Sequence, residues 1–422
     1  MGIIDRACRN HAILYSAAII LRLVIFTFPS VADTFLQRVE FSTPVTSYKR
    51  LTEGVYLYDS NVPPYDGGLF HQAPLLLSIF SFLTSIPNYY TIPLLYSLID
   101  IVTAHTLYRI KQTKPPPTPL STPSSDNDSN VNNVKEENNL TLEPHVVAAL
   151  YLFNPFTVLS CISRSSIIFS NLSIVMAILC SQRGRQSMSM VWIAFATYLG
   201  LYPAMLVVPL VLMQPSSKSM GMVTTFIISV IGLLGISRWL VGSWDFIKAT
   251  YGVILFLSDL TPNTGMFWYF FIEIFDQFRS FFMVVFQFHA FIFVAPLCIK
   301  LRHQPLFTIT ALCGIMSVFK SYPAVGDTAL FLGLLPLHDE LFKYFRYGFL
   351  VTNIYLYSSV LAPIFWHLWL YAGSGNANFF YAITLVYNLG SVLLLIDMIF
   401  SVLRRDYDIE NPNAIGKHVV QK

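Results

Sequence analysis

Five carboxylates lie between the first two long apolar runs that we count as membrane spans. They are Asp33, Glu40, Glu53, Asp59 and Asp66. A carboxylate at a membrane surface can deprotonate an acceptor hydroxyl or hold a metal ion, which is the chemistry that a lipid-linked sugar transferase needs. However, no Asp-X-Asp or Asp-Glu pair follows the first apolar run. The pattern therefore favours solvated loop carboxylates, with a sugar transferase as the alternative.

A dense run of aromatic residues occupies positions 262–288, which read PNTGMFWYFFIEIFDQFRSFFMVVFQF. Six phenylalanines recur there every three or four residues, so a continuous helix would carry them on one face. They are Phe267, Phe271, Phe275, Phe278, Phe282 and Phe286, while Glu273, Asp276 and Gln277 fall on another face. The stripe predicts an acyl-chain groove or a protein interface. An aromatic belt at the membrane surface is the alternative.

A short polar turn separates the last two apolar runs at positions 371–378, which read YAGSGNAN. The glycines and serine of this turn leave the backbone accessible. The side-chain amides of Asn376 and Asn378 can donate to and accept from hydroxyls or phosphate oxygens of a lipid headgroup. Alternatively, one of these two asparagines caps the helix that follows.

Several ionisable residues lie inside apolar runs or at their ends, where such groups are functional candidates by default. They are Arg22, Asp100, His105, Asp327, His367 and Asp397. We expect Arg22 to pair with a carboxylate that the sequence does not identify. Lys218, Lys300 and Arg302 lie at the ends of other runs, where they either contact phospholipid phosphates or only set the topology.

The rest of the sequence contains no candidate motif for catalysis or metal binding. The five cysteines (Cys8, Cys161, Cys180, Cys298 and Cys313) are far apart in sequence, and no pair has metal-ligand or redox spacing. The chain contains no nucleophile elbow, Cys/His protease pattern, phosphate loop or zinc motif. We therefore predict no catalytic residue, no metal site and no cofactor.

Composition determines the class of protein that must position these residues. The chain has 422 residues, of which 55% are hydrophobic and 12% charged, and its mean hydropathy is +0.58. Soluble domains carry about 25% charged residues, so a soluble fold is excluded. Long unbroken apolar runs, rather than short alternating ones, predict an all-α polytopic membrane protein. A net charge of +3 gives no indication of nucleic-acid binding.

The apolar runs predict about 12 transmembrane helices in a single membrane domain that covers residues 1–422. We interpret the first run as a spanning helix rather than as a cleaved signal. The predicted spans are 12–29, 91–110, 146–163, 166–180, 190–201, 203–213, 220–237, 278–298, 306–319, 326–337, 349–367 and 378–402.

The positive-inside rule orients this bundle. If the apolar segment 69–88 is not counted as a crossing, most of the 26 Lys and Arg residues fall on the cytosolic side together with both termini. We therefore predict that 69–88 lies in the lumenal leaflet or dips into it.

This orientation assigns sides to the segments between the spans. Residues 30–90 form a first lumenal loop with the membrane-dipping helix, and 239–277 form a second lumenal segment. Residues 111–143, rich in Pro, Ser and Asn, form a disordered linker, and 403–422 form a cytosolic tail. Glycosylation sequons at Asn127 and Asn139 favour a lumenal linker, but the basic flanking sequence RIKQTK favours the cytosolic side that we assign.

Long segments of the chain resemble the PIG-U family. They are EGVYLYDSNVPPYDGGLFHQAPLL, SWDFIKATYGVILFLSDLTPNTGMFWYFFIEIFDQF, FKSYPAVGDTALF, FWHLWLYAGSGNANFFYAITL and LRRDY. PIG-U is a polytopic subunit of the GPI transamidase of the endoplasmic reticulum. This complex cleaves a C-terminal signal from a proprotein and joins the new carboxyl end to the ethanolamine phosphate of GPI.

The resemblance implies a non-catalytic subunit that helps to bind or present the GPI glycolipid. Catalysis would belong to the partner subunit PIG-K, alongside PIG-T, PIG-S and a GPAA-type subunit. The implied fold is similar to that of GT-C glycosyltransferases, and the implied location is the endoplasmic reticulum membrane, crossed several times.

Three groups of residues match positions to which the family assigns a role. Asn376 and Asn378 match a polar pair that implies GPI contact, which then outweighs the capping interpretation. Phe267, Trp268, Tyr269 and Phe271 fall in an aromatic segment implied to hold acyl chains, and Lys218 and Arg302 fall at positions implied to touch phospholipid.

Two other functions are weighed against this one. A related GPI mannosyltransferase carries two acidic residues where this chain reads Arg38-Val39-Glu40, so only one acid remains. An active mannosyltransferase that uses Glu40 or Glu53 is therefore the alternative function. A transporter would need an internal repeat or a charged central pathway, and the sequence shows neither.

Overall fold

The computed structural model describes residues 2–118 and 141–412, with side chains described from residue 11 onward. Most of the predicted linker 111–143, including Asn127 and Asn139, therefore lies outside the described residues. The same is true of the end of the predicted tail 403–422 and of the side chain of Cys8.

Within the described ranges every regular element is a helix and no strand is present, which confirms the all-α prediction. In chain order the α-helices are α1 (Gly2–Phe26), α2 (Pro29–Gln37), α3 (Tyr48–Asp59), α4 (Pro74–Thr84), α5 (Thr91–Thr113), α6 (Pro144–Leu152), α7 (Pro155–Ile162), α8 (Ile167–Gln182), α9 (Gln186–Gly200), α10 (Val207–Leu212), α11 (Ser219–Val241), α12 (Val253–Phe256), α13 (Phe267–Glu273), α14 (Asp276–Ile292), α15 (Val294–Lys300), α16 (Pro305–Phe319), α17 (Val325–Leu334), α18 (Gly348–Leu370) and α19 (Ala377–Glu410). Tyr202–Leu206, Ser216–Lys218 and Leu335–Tyr344 are 3-10 helices, and Ile247–Gly252 is π-helical.

Proline residues explain two of the sharp bends. Pro29 and Pro155 occupy the first turns of α2 and α7, where a missing N–H costs no hydrogen bond. Each also prevents the preceding helix from continuing. The chain consequently bends by 90° between α1 and α2, and by 51° between α6 and α7.

The number of helices able to cross a membrane alone is smaller than predicted. By length and composition, four described helical segments qualify, or up to six if each bent pair counts as one span. The four are Ser216–Val241, Asp276–Lys300, Gly348–Leu370 and Ala377–Glu410. Other predicted spans coincide with shorter apolar helices such as Ile167–Gln182 and Pro305–Phe319. The segment 69–88 contains α4, whose 11 residues extend only about 16 Å, well short of the ~30 Å hydrocarbon core.

A buried ion pair joins the first helix to the fifth. Arg22 and Asp100 are both completely buried, and the guanidinium Nη2 lies 2.9 Å from Oδ2 of the carboxylate. Arg22 also donates to the carbonyl oxygens of Ala18 and Leu152, at 3.1 and 3.0 Å. The structure therefore confirms that Arg22 pairs with a carboxylate and identifies that carboxylate as Asp100.

A second set of charges, which we call the Arg50 cluster, ties segment 30–90 to segment 239–277. It comprises Arg50, His71, Asp259 and Thr261. Arg50 Nη1 lies 2.6 Å from Asp259 Oδ2, the His71 ring lies 3.7 Å from the same oxygen, and the Thr261 N–H donates to Oδ1 at 2.8 Å. Burial alone would raise the pKa of the Asp259 carboxyl, but its contacts with His71, Thr261 and Arg50 hold that pKa well below its usual value.

One carboxylate binds both described ends of the predicted linker. Asp339, in the 3-10 segment after α17, accepts from Lys111 Nζ at 2.6 Å and from the backbone N–H of Leu142. Lys114 pairs with the adjacent Glu340 at 2.7 Å. The two ends of the linker are therefore fixed side by side.

Candidate functional site

The turn between α18 and α19 is stabilised by its own backbone. The N–H groups of Ser374 and Gly375 both donate to the carbonyl oxygen of Leu368, at 3.1 and 3.0 Å. Gly373 has a φ of +64°, a conformation that favours glycine. The Leu368 carbonyl in the last turn of α18 is thus satisfied, and most side chains of the turn are exposed.

The structure gives Asn376 and Asn378 different local roles. Asn376 is the N-cap of α19, and its side-chain oxygen accepts from the backbone N–H of Asn378 at 3.0 Å. This confirms the capping interpretation for Asn376. The side-chain NH₂ of Asn376 has no partner among the described residues. Both asparagines are exposed, so capping leaves amide donors available to a ligand.

Asn378 connects the turn to the aromatic segment. Its side-chain oxygen accepts a hydrogen bond from the hydroxyl group of Tyr269 on α13. The Tyr381 hydroxyl donates to the carbonyl oxygen of Met266 at 3.1 Å, and the rings of Tyr269 and Tyr381 lie 4.6 Å apart. Two predicted site elements that are 109 residues apart in sequence therefore meet.

A cluster of aromatic side chains packs beside this contact. Trp268 is 1% exposed and stacks on Trp369 with ring centroids 6.4 Å apart, while Phe380 lies 6.3 Å from it and 5.0 Å from Trp366. The indole N–H of Trp268 is buried and has no hydrogen-bond partner in the described part of the chain. We call Trp268, Trp366, Trp369 and Phe380 the tryptophan cluster.

The prediction that six phenylalanines share one helix face is wrong, because the helix is broken. Ile274 and Phe275 have extended backbone conformations that end α13 and begin α14. Phe275 is consequently 74% exposed, away from the buried phenylalanines.

The four residues predicted to form one aromatic groove all lie on α13, before the break, but they face two different sides of that helix. Phe267 and Phe271 pack into the main core against Phe286 of α14, with centroids 5.0 and 5.5 Å apart. Trp268 and Tyr269 instead point toward the turn.

A cavity of about 380 Å³ opens beside the tryptophan cluster. Its lining is mainly apolar and includes Ile383 and Tyr387 of α19 and Arg38 and Glu40 of the segment 30–90. Arg38 donates to both oxygens of Glu40, and its guanidinium lies 5.8 Å from the ring centre of Trp366. Both oxygens of this carboxylate are therefore engaged by a neighbouring cation.

Sequence reasoning missed this cavity and the tryptophan cluster. The available signal was the pair of tryptophans three residues apart at the end of α18, followed closely by aromatic residues in α19. Of the other loop acids, Asp59 and Asp66 line a separate cavity, where Asp59 accepts from the hydroxyl of Ser81, and Glu53 is exposed. Among the described side chains, no group of three His, Cys, Asp or Glu residues could hold a metal ion.

The two predicted phospholipid residues lie away from this site. Lys218 is exposed and immediately precedes α11. Arg302 is exposed, donates to the ring of His303 at 3.0 Å, and follows α15. The aromatic segment precedes the span Asp276–Lys300, so Arg302 lies at the opposite end of that span.

Comparisons with known proteins identify the family of the chain. The family described as PIG-U, GPI transamidase subunit PIG-U, matches residues 16–387. The chain is 38% identical to the GPI-anchor transamidase component PIGU of Cricetulus griseus, covering 94% of each chain. It is also 38% identical to PIGU of Homo sapiens, covering 92% of this chain and 93% of the relative. The GPI transamidase component GAB1 of Saccharomyces cerevisiae is 38% identical over 92% of both chains. This chain therefore belongs to the PIG-U family.

Proposed function

We propose that this chain is a subunit of a GPI transamidase and that it holds the GPI glycolipid for attachment to proproteins. Two relatives at 38% identity are named as components of that enzyme. The observation that carries the binding role is the contact between Asn378 and Tyr269, which joins an exposed amide pair to a supported aromatic surface.

The proposed site can bind both the polar glycan headgroup and the apolar chains of a glycolipid. The side-chain NH₂ groups of Asn376 and Asn378 would donate to glycan hydroxyls or phosphate oxygens. Aromatic rings beside them, including Tyr269 and Tyr381, offer apolar faces to the sugar or to the upper part of the acyl chains. A few placed polar groups beside an apolar wall are typical of small-molecule sites.

We assign catalysis of the transamidation to a partner subunit of the PIG-K type, with PIG-T, PIG-S and a GPAA-type subunit completing the complex. Glu40, the acid that a mannosyltransferase would need, is engaged on both oxygens by Arg38. This chain would position the substrate and would not itself break or form a bond. It would bring the GPI ethanolamine to the proprotein and thereby lower the entropic cost of the reaction.

The proposed membrane arrangement is a multi-pass bundle of about 12 crossings in the endoplasmic reticulum, with the turn 371–378 on the lumenal side and a GT-C-like architecture. The bent pair α6 with α7, which covers most of the predicted span 146–163, supports it, because short helices joined end to end can cross where neighbouring helices satisfy their backbone groups. In this orientation Lys218 and Arg302 would contact phospholipid headgroups of the cytosolic leaflet.

The binding role is tested by Asn376→Ala with Asn378→Ala in cells whose own copy of the gene is deleted. We expect complete GPI precursors to accumulate unattached while the complex still assembles. Asn411→Ala is the matched control, because Asn411 is the C-cap of the same helix and lies at its other end. Attachment at the wild-type rate, or accumulation of under-mannosylated precursors, would contradict the proposal.

A further inference from the structure

A groove on the face of α14 lies apart from the turn 371–378 and has no role in the proposed function. It has a volume of about 670 Å³, within the range of small-ligand sites, and most of its lining is apolar. Met283, Val284, Phe288 and Phe291 form one wall, and Leu255 with Phe256 forms the other. Arg279 lines one end.

The wall of the groove formed by Leu255 and Phe256 is held in place by side chains of α14. The short helix α12 ends just before Leu257, whose φ is +47°, so the last carbonyl groups of α12 lack helical partners. Gln287 Nε2 donates to the carbonyl oxygens of Ile254 and Leu255 at 2.7 and 3.1 Å, and Arg279 Nη2 donates to that of Leu257 at 3.0 Å. The groove is therefore a fixed feature of the fold.

Arg279 carries a charge that the described part of the chain does not balance. Its guanidinium donates to two backbone carbonyl oxygens, those of Leu257 and Phe271, but makes no ion pair there with a carboxylate. Asp276, one turn earlier on the same helix, is exposed and does not pair with it. By contrast, Arg22 and Arg50, which are also tied to backbone carbonyls, each face an aspartate. The half-buried cation at the end of the groove is thus complementary to an anion.

The dimensions of the groove match one leaflet of a bilayer. Arg279 lies in the first turn of the span Asp276–Lys300, and Phe291 follows it by twelve residues, or about 18 Å of helix. Half of the ~30 Å hydrocarbon core is about 15 Å. A cation at the membrane surface with an apolar channel of this length fits a molecule with an anionic head and a hydrocarbon chain.

We propose that this groove binds one anionic phospholipid of the surrounding leaflet, with its phosphate at Arg279 and one acyl chain along Met283, Val284 and Phe291. This site does not depend on GPI binding. It also lies at the opposite end of the span from Arg302.

The test measures binding of palmitoyl-oleoyl phosphatidylserine to the full chain, purified in its complex in mild detergent, by native mass spectrometry. Arg279→Gln should weaken binding about fivefold, the effect of one Lys or Arg near an anionic headgroup. Val284→Trp should also weaken it by filling the groove while the cation is kept. Diacylglycerol, which has the chains without the phosphate, should bind wild type and Arg279→Gln equally.

The matched controls are Arg109→Gln, at an exposed arginine on α5, and Ile228→Trp, at a position of α11 that is exposed to a similar extent as Val284. Both should bind phosphatidylserine as wild type does. Wild-type binding by Arg279→Gln and Val284→Trp would overturn the proposal. Loss of a partner subunit from these two variants with unchanged lipid binding would also overturn it, and would identify the groove as a helix interface.

Discussion

The interior ion pairs and the turn 371–378 use polar side chains in opposite ways. Arg22 and Asp100 are fully buried, and each finds its partner within the chain. The turn leaves the side-chain NH₂ of Asn376 exposed and without a partner among the described residues. Buried charges must be paired because desolvation is costly, whereas an exposed amide can exchange water for a ligand. The difference separates groups that hold the fold from groups that can bind a ligand.

The largest effect on stability is expected at the buried pair. Arg22→Gln should lower the free energy of unfolding by about 3–5 kcal/mol, because it leaves the charge of Asp100 buried and uncompensated. Thermal unfolding in detergent measures this loss. The double variant Arg22→Leu with Asp100→Leu removes both charges and should be the milder change. A single variant as stable as wild type would show that the pair does not hold α1 to α5.

An intermediate effect is expected in the Arg50 cluster. Asp259→Asn should lower the free energy of unfolding by about 2 kcal/mol at neutral pH, because the carboxylate loses charge-assisted hydrogen bonds. The folded state lowers the pKa of Asp259. The contribution is therefore fully present above the unfolded-state pKa of about 4, and it is lost as the pH falls below that value toward the folded pKa.

This pH dependence distinguishes the stability that Asp259 contributes from the effects of other groups that titrate in acid. Between pH 5 and pH 3, wild type should lose more stability than Asp259→Asn, as measured by urea unfolding at a series of pH values. Parallel curves for the two proteins would mean that Asp259 is not stabilised by its neighbours.

The smallest effect on stability is expected at the contact between the aromatic segment and the turn. Tyr269→Phe keeps the ring but removes the donor to Asn378, so we expect a stability change of about 1 kcal/mol or less. GPI attachment should nevertheless fall about threefold, because Asn378 loses its fixed orientation. Tyr56→Phe, at a 72% exposed tyrosine, should change neither quantity. A stability loss as large as that of Arg22→Gln would place this contact among the structural pairs.

Local sequence patterns predicted the features that depend on neighbouring residues. Apolar runs identified an all-helical membrane protein, and the polar turn before the last apolar run suggested, as one of two interpretations, that Asn376 or Asn378 caps a helix; the structure assigns the cap to Asn376. The cost of burying a lone charge predicted a partner for Arg22, although only the fold could select Asp100.

Features that depend on distant contacts were not predicted. The phenylalanine period suggested a continuous helix, but extended conformations at Ile274 and Phe275 break it. The position of the Arg38 guanidinium over Trp366 also had no local signal, since the tryptophan lies more than 300 residues later. A helical period gives the face of a helix only as long as the helix continues.

The most direct test of the central claim is the amount of GPI that co-purifies with the complex. We predict that Asn376→Ala with Asn378→Ala reduces the GPI recovered per complex at least tenfold while every partner subunit is still recovered, and that Asn411→Ala recovers the wild-type amount. Recovery of the wild-type amount of GPI with the double variant would contradict the assignment of the turn as the glycolipid site.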